Sequence, residues 1–247
     1  DADTFLEIID VEAYPAQSRE LAVQGLIRTE YDKPFVLDKD FAMRAGLIRI
    51  SGEEHVLMIT LHHHAGDGVS QMVLFKELAQ GYLARCAGNQ PDWLPLSVQY
   101  YDWAAWQQAS LELSLEAKIE RAKLRLADSP SSLTLPLDYP RDPNRARRAV
   151  YLPVKLDKRT VQALEQLAKQ EGTTLFTVLL AAYGATLGRI AGQDDVVIGA
   201  PVAGRTHSDA EALIGFMVNT LAIPFSMKDG CTGKQLIARA RLSVEEA

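Results

Sequence analysis

The 247-residue chain has only two cysteines, Cys86 and Cys231, far apart and without metal-type spacing. That excludes a disulfide framework as organiser of the fold and predicts two unpaired thiols in a reducing compartment. There is no excess of positive charge. Against 32 Asp and Glu stand 26 Lys and Arg, a net charge of −6, so neither nucleic acid nor an anionic membrane is an expected partner. The basic cluster Arg141, Arg145, Arg147 and Arg148 reads as a solvated piece of linker. The start, Asp1-Ala2-Asp3, lacks the basic-then-apolar pattern of a signal peptide. One long apolar run covers residues 175–190, but Thr177, Gly184, Thr186 and Gly188 interrupt it and it is short for a bilayer span. It predicts a core helix, and the expected location is cytoplasmic. No Gly-x-Ser-x-Gly elbow supports a serine hydrolase. No His-x-x-x-His spacing or cysteine pair completes a metal site.

What is present is an ordinary globular composition, 47% hydrophobic and 23% charged, long enough for one large domain or two small ones. Residues 18–30 have helical spacing, and Lys33-Pro34-Phe35 breaks any helix that follows. Residues 46–50 and 56–61 flank the turn 51–54 and predict an antiparallel hairpin. Its second strand is apolar on both faces, as a central covered strand is. Beyond Gly68, Ser70 is placed to cap a helix bearing Met72, Phe75, Leu78, Tyr82 and Leu83, stopped by Gly88. Residues 104–127 read as a helix with Asp102 as its cap, and Tyr100, Trp103 and Trp106 as packing residues. Pro130, Pro136, Pro140 and Pro143 make residues 129–148 the natural linker. A strand over 149–156, a helix over 157–171 ended by Gly172, the apolar helix and a strand over 196–199 follow. Strands and helices on both sides of the linker predict a mixed α/β protein of two lobes.

Three of the five histidines stand together in His62-His63-His64-Ala65-Gly66-Asp67-Gly68. Histidine alone exchanges protons near neutral pH without perturbation, and the run lies in a strand-to-helix turn, where the backbone is pinned at both ends. If strand alternation persists into the turn, His63 and His62 face opposite ways.

This run, as His62-His63-x-x-x-Asp67-Gly68, resembles the HHxxxDG motif of nonribosomal peptide synthetase condensation domains. The segment from Gln99 to Gln107 is similar to that family's YxDxAxWQ motif, and Ile214-Gly215-Phe216-Met217-Val218-Asn219-Thr220 to its GxxVNT motif. Residues 192–205 resemble the strand and loop that precede the latter. The order of all these segments matches.

The resemblance implies an α/β (α+β) class with two chloramphenicol-acetyltransferase-like lobes of mixed sheet flanked by helices. Residues 1–147 would be the latter part of the N-terminal lobe with its motif and linker. Residues 148–247 would be the first part of the C-terminal lobe, so both lobes are expected to be incomplete. A tunnel between the lobes would admit two phosphopantetheine arms, one from a donor and one from an acceptor peptidyl carrier domain. Adenylation domains are expected in the same polypeptide, and no cofactor is expected to bind directly. An acceptor amine attacks a donor thioester and an amide forms.

In that scheme His63 is the expected catalytic residue, as general base or hydrogen-bonding positioner, with His62 a packing or orienting residue and His64 incidental. Asp67 is expected to be structural, paired with an arginine for which Arg205 is the candidate. Gly68 is expected to permit the turn or a close backbone approach, while Gly66 has no assignment beyond flexibility. Asn219 is a possible tunnel residue, more readily a structural one. Related readings are an epimerisation domain, or a free-standing acyltransferase using a CoA- or carrier-bound donor. From a different class comes a carrier-docking module without chemistry.

Overall fold

A computed structural model describes residues 6–140, 142, 144 and 152–247. Asp1-Ala2-Asp3, the basic cluster Arg141, Arg145, Arg147 and Arg148, and the start of the expected 149–156 strand lie outside the described residues. The chain divides into two compact units: Asp1–Ala109 with Ala203–Val218, and Ser110–Val202 with Asn219–Ala247.

The first unit begins with β1 (Leu6–Asp10), α1 (Ala16–Asp32), β2 (Met43–Arg49), β3 (His55–Leu61) and α2 (Gly68–Cys86). Strand β1 runs parallel to β2, and β2 pairs antiparallel with β3 in the order β1-β2-β3. The expected hairpin is therefore present. Its turn is closed by Ile50 and Ser51 N–H groups donating to Glu54 O, and Ser51 Oγ accepts from Glu53 and Glu54 N–H. One expectation fails here. Among the described residues β2, not β3, is the central strand, and Leu57 on β3 is 48% exposed. Apolar patterning reports that a strand is suited to cover, not which element covers it. Val11, Val23 and Ile48 form the small core between α1 and the sheet.

The irregular segment after α1 is pinned by Arg44. Its guanidinium lies 3.8 Å from the Phe35 ring centroid and bonds Glu30 and the Lys33 carbonyl. Helix α3 (Tyr100–Leu126) starts earlier than the sequence predicts. Asp102 sits in its first turn and reaches back to accept the Gln99 N–H at 2.8 Å, one half of a capping box.

The second unit holds α4 (Lys158–Gln170), α5 (Leu175–Ala191), β4 (Asp195–Val202), β5 (Asn219–Ser226) and α6 (Gly233–Glu245). Residues 152–156 form no strand, so that expectation fails wherever it is described. The described part of the proline-rich stretch is tied down. Gln193 bonds both Ser132 O and Thr134 N–H, and Leu133 packs on the unit's core.

The apolar helix α5 starts at the Thr174 cap, which accepts the Thr177 N–H, and stops where Gly192 takes φ 64°. It buries Thr177, Val178, Leu180, Ala181, Gly184 and Gly188. Among the described residues no single helix is long and apolar enough to cross a membrane. Strands β4 and β5 pair antiparallel, placing Val196 opposite Phe225 and Ile198 opposite Ile223. Gly184 is where α5 meets the sheet: a Cβ there would come within 2.5 Å of the Phe225 ring.

Phe225 is 3% exposed and has no room to be replaced without a void. Phe225→Ala is expected to cost about 3–5 kcal/mol of stability, read as a shift of the urea unfolding midpoint. A shift equivalent to less than about 1 kcal/mol would contradict this packing.

Candidate active site

The strand ladder runs one residue past β3, as the His62 N–H donates to Ala42 O at 2.8 Å. There it ends, because Ala65 N–H closes a turn on His62 O at 2.9 Å. Alternation therefore does not carry into residues 63–65. The two histidines still diverge. His62 meets the Phe35 ring edge-on at 5.5 Å and accepts the His64 N–H on Nδ1. His63 turns to Phe216, with ring centroids 5.2 Å apart and planes at 81°. His63 Nδ1 lies 3.0 Å from Gly66 O. His64 is not detached from the run, since its Nδ1 is 2.7 Å from His62 Nδ1.

Asp67 follows the turn and is buried at 2% exposure. It is the N-cap of α2, accepting the Ser70 N–H at 2.9 Å. The expected cap, Ser70, is therefore inside the first turn. Its hydroxyl, 0% exposed, reaches Asp67 Oδ1 and Gly215 O, and accepts from Gly215 N–H and Arg205 Nη2. One hydroxyl has one proton and two lone pairs, so both lone pairs are filled and the proton is shared between the Asp67 and Gly215 oxygens.

Arg205 closes on Asp67 as a two-pronged fork. Nη1 donates to Oδ2 at 2.9 Å and Nη2 to Oδ1 at 3.0 Å, with both side chains no more than 4% exposed. Oδ2 also accepts the N–H groups of Met217 and Val218, and Nη2 reaches Leu213 O. Burial pushes the Asp67 carboxyl up. Arg205, the Ser70 and Met217 N–H groups and the Ser70 hydroxyl outweigh it and hold the group well below the usual carboxylate range.

The close approaches fall on different glycines from the expected one. Gly68 has no left-handed φ, and a Cβ on it would meet nothing within 4 Å. Gly66 is the constrained position, where a Cβ would come 2.6 Å from Leu61 Cδ2. Gly204 takes φ 67°, and a Cβ there would overlap the Met217 carbonyl.

The structure thus brings Asp67 and Arg205 together and holds His63 on Gly66, the residue before Asp67, while His62 turns to Phe35 and His64. Asn219 opens β5 in the second unit, exposed, with its Oδ1 accepting the Thr220 N–H at 2.8 Å. Trp103 is core, buried with Ala210, Leu213 and Met217, whereas Trp106 is 51% exposed. Ser70, Gly66 and Phe216 were not legible as site residues. Asp-x-x-Ser at a helix start was the available signal for the first. Among the described residues no group of three or more His, Cys, Asp or Glu side chains is placed to hold a metal.

The chain belongs to the condensation domain family, whose profile matches residues 1–247. It is 39% identical over 241 residues to malpibaldin synthetase of Mortierella alpina, covering 97% of this chain and 4% of that protein. To a phosphinothricin tripeptide synthetase of Streptomyces viridochromogenes it is 36% identical over 238 residues, covering 96% and 20%. The crystal structure of the X-domain from teicoplanin biosynthesis is similar with a TM-score of 0.82 at 28% identity, over 98% of this chain and 53% of that one. The chain thus spans a fifth or less of these two curated relatives and about half of the matched structure.

Removing Arg205 strands a buried carboxylate. Arg205→Ala is expected to destabilise by about 3–5 kcal/mol, measured by chemical denaturation at pH 7. Because the folded carboxyl is depressed, its stabilisation is complete above the unfolded pKa of about 3.9 and is withdrawn as pH falls below it. The stability difference between wild type and Asp67→Asn should therefore shrink below about pH 4. A difference that stays constant down to pH 3 would contradict the assignment.

Proposed function

We propose that this chain is the part of a nonribosomal peptide synthetase condensation domain that holds the reacting histidine. In this reading His63 takes the proton from an acceptor amine attacking a carrier-bound thioester. The observation that carries it is the 3.0 Å contact of His63 Nδ1 with Gly66 O. A carbonyl oxygen only accepts, so the neutral ring keeps its proton on Nδ1 and presents its lone pair on Nε2. A base in that tautomer needs no further partner to be ready.

The step balances without any other reagent. The acceptor nitrogen bonds the thioester carbonyl carbon, the C–S bond breaks, and its electron pair leaves on the donor phosphopantetheine sulfur. The amine proton passes to His63 Nε2 and from there to the departing thiolate. Thioesters are already reactive and amines already nucleophilic, so alignment and proton removal are the main tasks left to the protein. Donor and acceptor carrier domains deliver the substrates, and adenylation domains of the same polypeptide load them. That one of the named relatives is a tripeptide synthetase supports this setting.

A second reading, a docking module without chemistry, has one observation in its favour: a matched X-domain, 27% identical, is solved in complex with OxyB. The test is His63→Ala in the intact parent domain, assayed with two loaded carriers. Amide formation is expected to fall about 10²–10⁴-fold. An undiminished rate removes His63 from the chemistry, and a wild-type domain that binds both carriers yet forms no amide supports the docking module.

A further inference from the structure

We infer that Phe216 is a positioning residue for His63, anchored in turn by the Tyr100 hydroxyl. The inference rests on the proposed role of His63. Phe216 lies between two buried residues, Gly215 and Met217, but is itself 41% exposed. Its side chain is therefore not spent on the core. The ring instead stands edge-to-face against His63, at 5.2 Å and 81°.

The Phe216 backbone is held from both sides. Gly215 is bonded through N–H and C=O to the Ser70 hydroxyl, and the Met217 and Val218 N–H groups go to Asp67 Oδ2. At Phe216 itself the carbonyl accepts the Tyr100 hydroxyl at 2.9 Å. The Tyr100 ring lies so close over Gly215 that any Cβ there would overlap it. Three separated sequence segments thus meet around one aromatic residue, whose ring stands nearly perpendicular to that of His63.

The physical need follows from the count of restraints on the imidazole. With the ring tethered at Cβ, a single hydrogen bond from Nδ1 to Gly66 O still leaves it a swing about the line joining those two atoms. A second contact against the ring opposes that swing and sets where Nε2 points. Misplacement by about 1 Å is enough to cost on the order of 10²-fold in rate. Phe216 has no hydrogen-bonding group to offer the ring nitrogens, so it aims the base and leaves the choice of tautomer to Gly66.

The experiment uses the intact parent domain with donor and acceptor carriers at saturation, followed in single turnover. Phe216→Ala is expected to slow amide formation about 10–100-fold while the apparent KM for either carrier and the thermal midpoint stay close to wild type. Phe216→Trp, which keeps an aromatic face, should recover most of the rate, and Tyr100→Phe should lose rate in the same direction by less. A ¹H–¹⁵N spectrum of the His63 ring supplies a readout independent of turnover. Phe216→Ala should shift its carbon-bound protons by removing the ring current, while Nδ1 stays protonated. If His63→Ala is inactive but Phe216→Ala has the wild-type rate and ring spectrum, the inference is overturned. It is also overturned if Phe216→Ala loses rate together with its thermal midpoint, or if Phe216→Trp is as slow as the alanine variant. Full activity of His63→Ala would instead defeat the reading of His63 on which it rests.

Discussion

The Asp67 carboxylate receives the Arg205 fork, three backbone N–H groups and the Ser70 hydroxyl, and through them ties the start of α2 to a loop 138 residues further along the chain. Take that group away and several things lose their reason to be where they are. The cap of α2 is lost, the 215–218 segment gives up its N–H acceptors, and Arg205 becomes a buried cation held by carbonyls and a hydroxyl alone. The histidine turn is joined directly to this group, since His63 bonds Gly66 and Gly66 precedes Asp67. Order at the imidazole is therefore inherited from order at the carboxylate.

A buried ion pair is an expensive way to hold two segments together, because both charges leave water and their attraction only partly offsets that. What it supplies is direction. Guanidinium and carboxylate are planar, and their parallel bonds tolerate one orientation, which greasy contacts do not enforce. The surrounding glycines serve the same end by letting chains approach more closely than side chains allow. Leu61 presses on Gly66, the Tyr100 ring on Gly215, and the Met217 carbonyl on Gly204. Only Gly204 of these also needs its freedom of φ.

What was legible in the sequence was local. The 51–54 turn, the α2 stop at Gly88 and the apolar run that becomes α5 are each written in residues that touch their neighbours in the chain. The Asp67–Arg205 partnership was reachable only through a family resemblance, since nothing in the spacing of two residues 138 apart specifies a contact. Ser70 was misplaced by one role for a simple reason. Both Asp67 and Ser70 are good caps, and propensity does not say which of them stands just outside the helix. The aromatic contact on His63 was not legible at all, because Phe216 reads as one more apolar residue in an apolar segment. The central-strand expectation for β3 failed because a pattern states what a strand is fit to be covered by, while coverage is set by distant chain.

The central claim is that Asp67 and Arg205 act as one unit, and a double-mutant cycle measures that directly. Asp67→Asn, Arg205→Gln and the pair of substitutions together would be compared by urea denaturation at pH 7. A coupling energy of roughly 2–3 kcal/mol is the expected result, with the double variant far less damaged than the two single losses added together. Losses that simply add to within about 0.5 kcal/mol would show the two residues to be independent and would contradict the account.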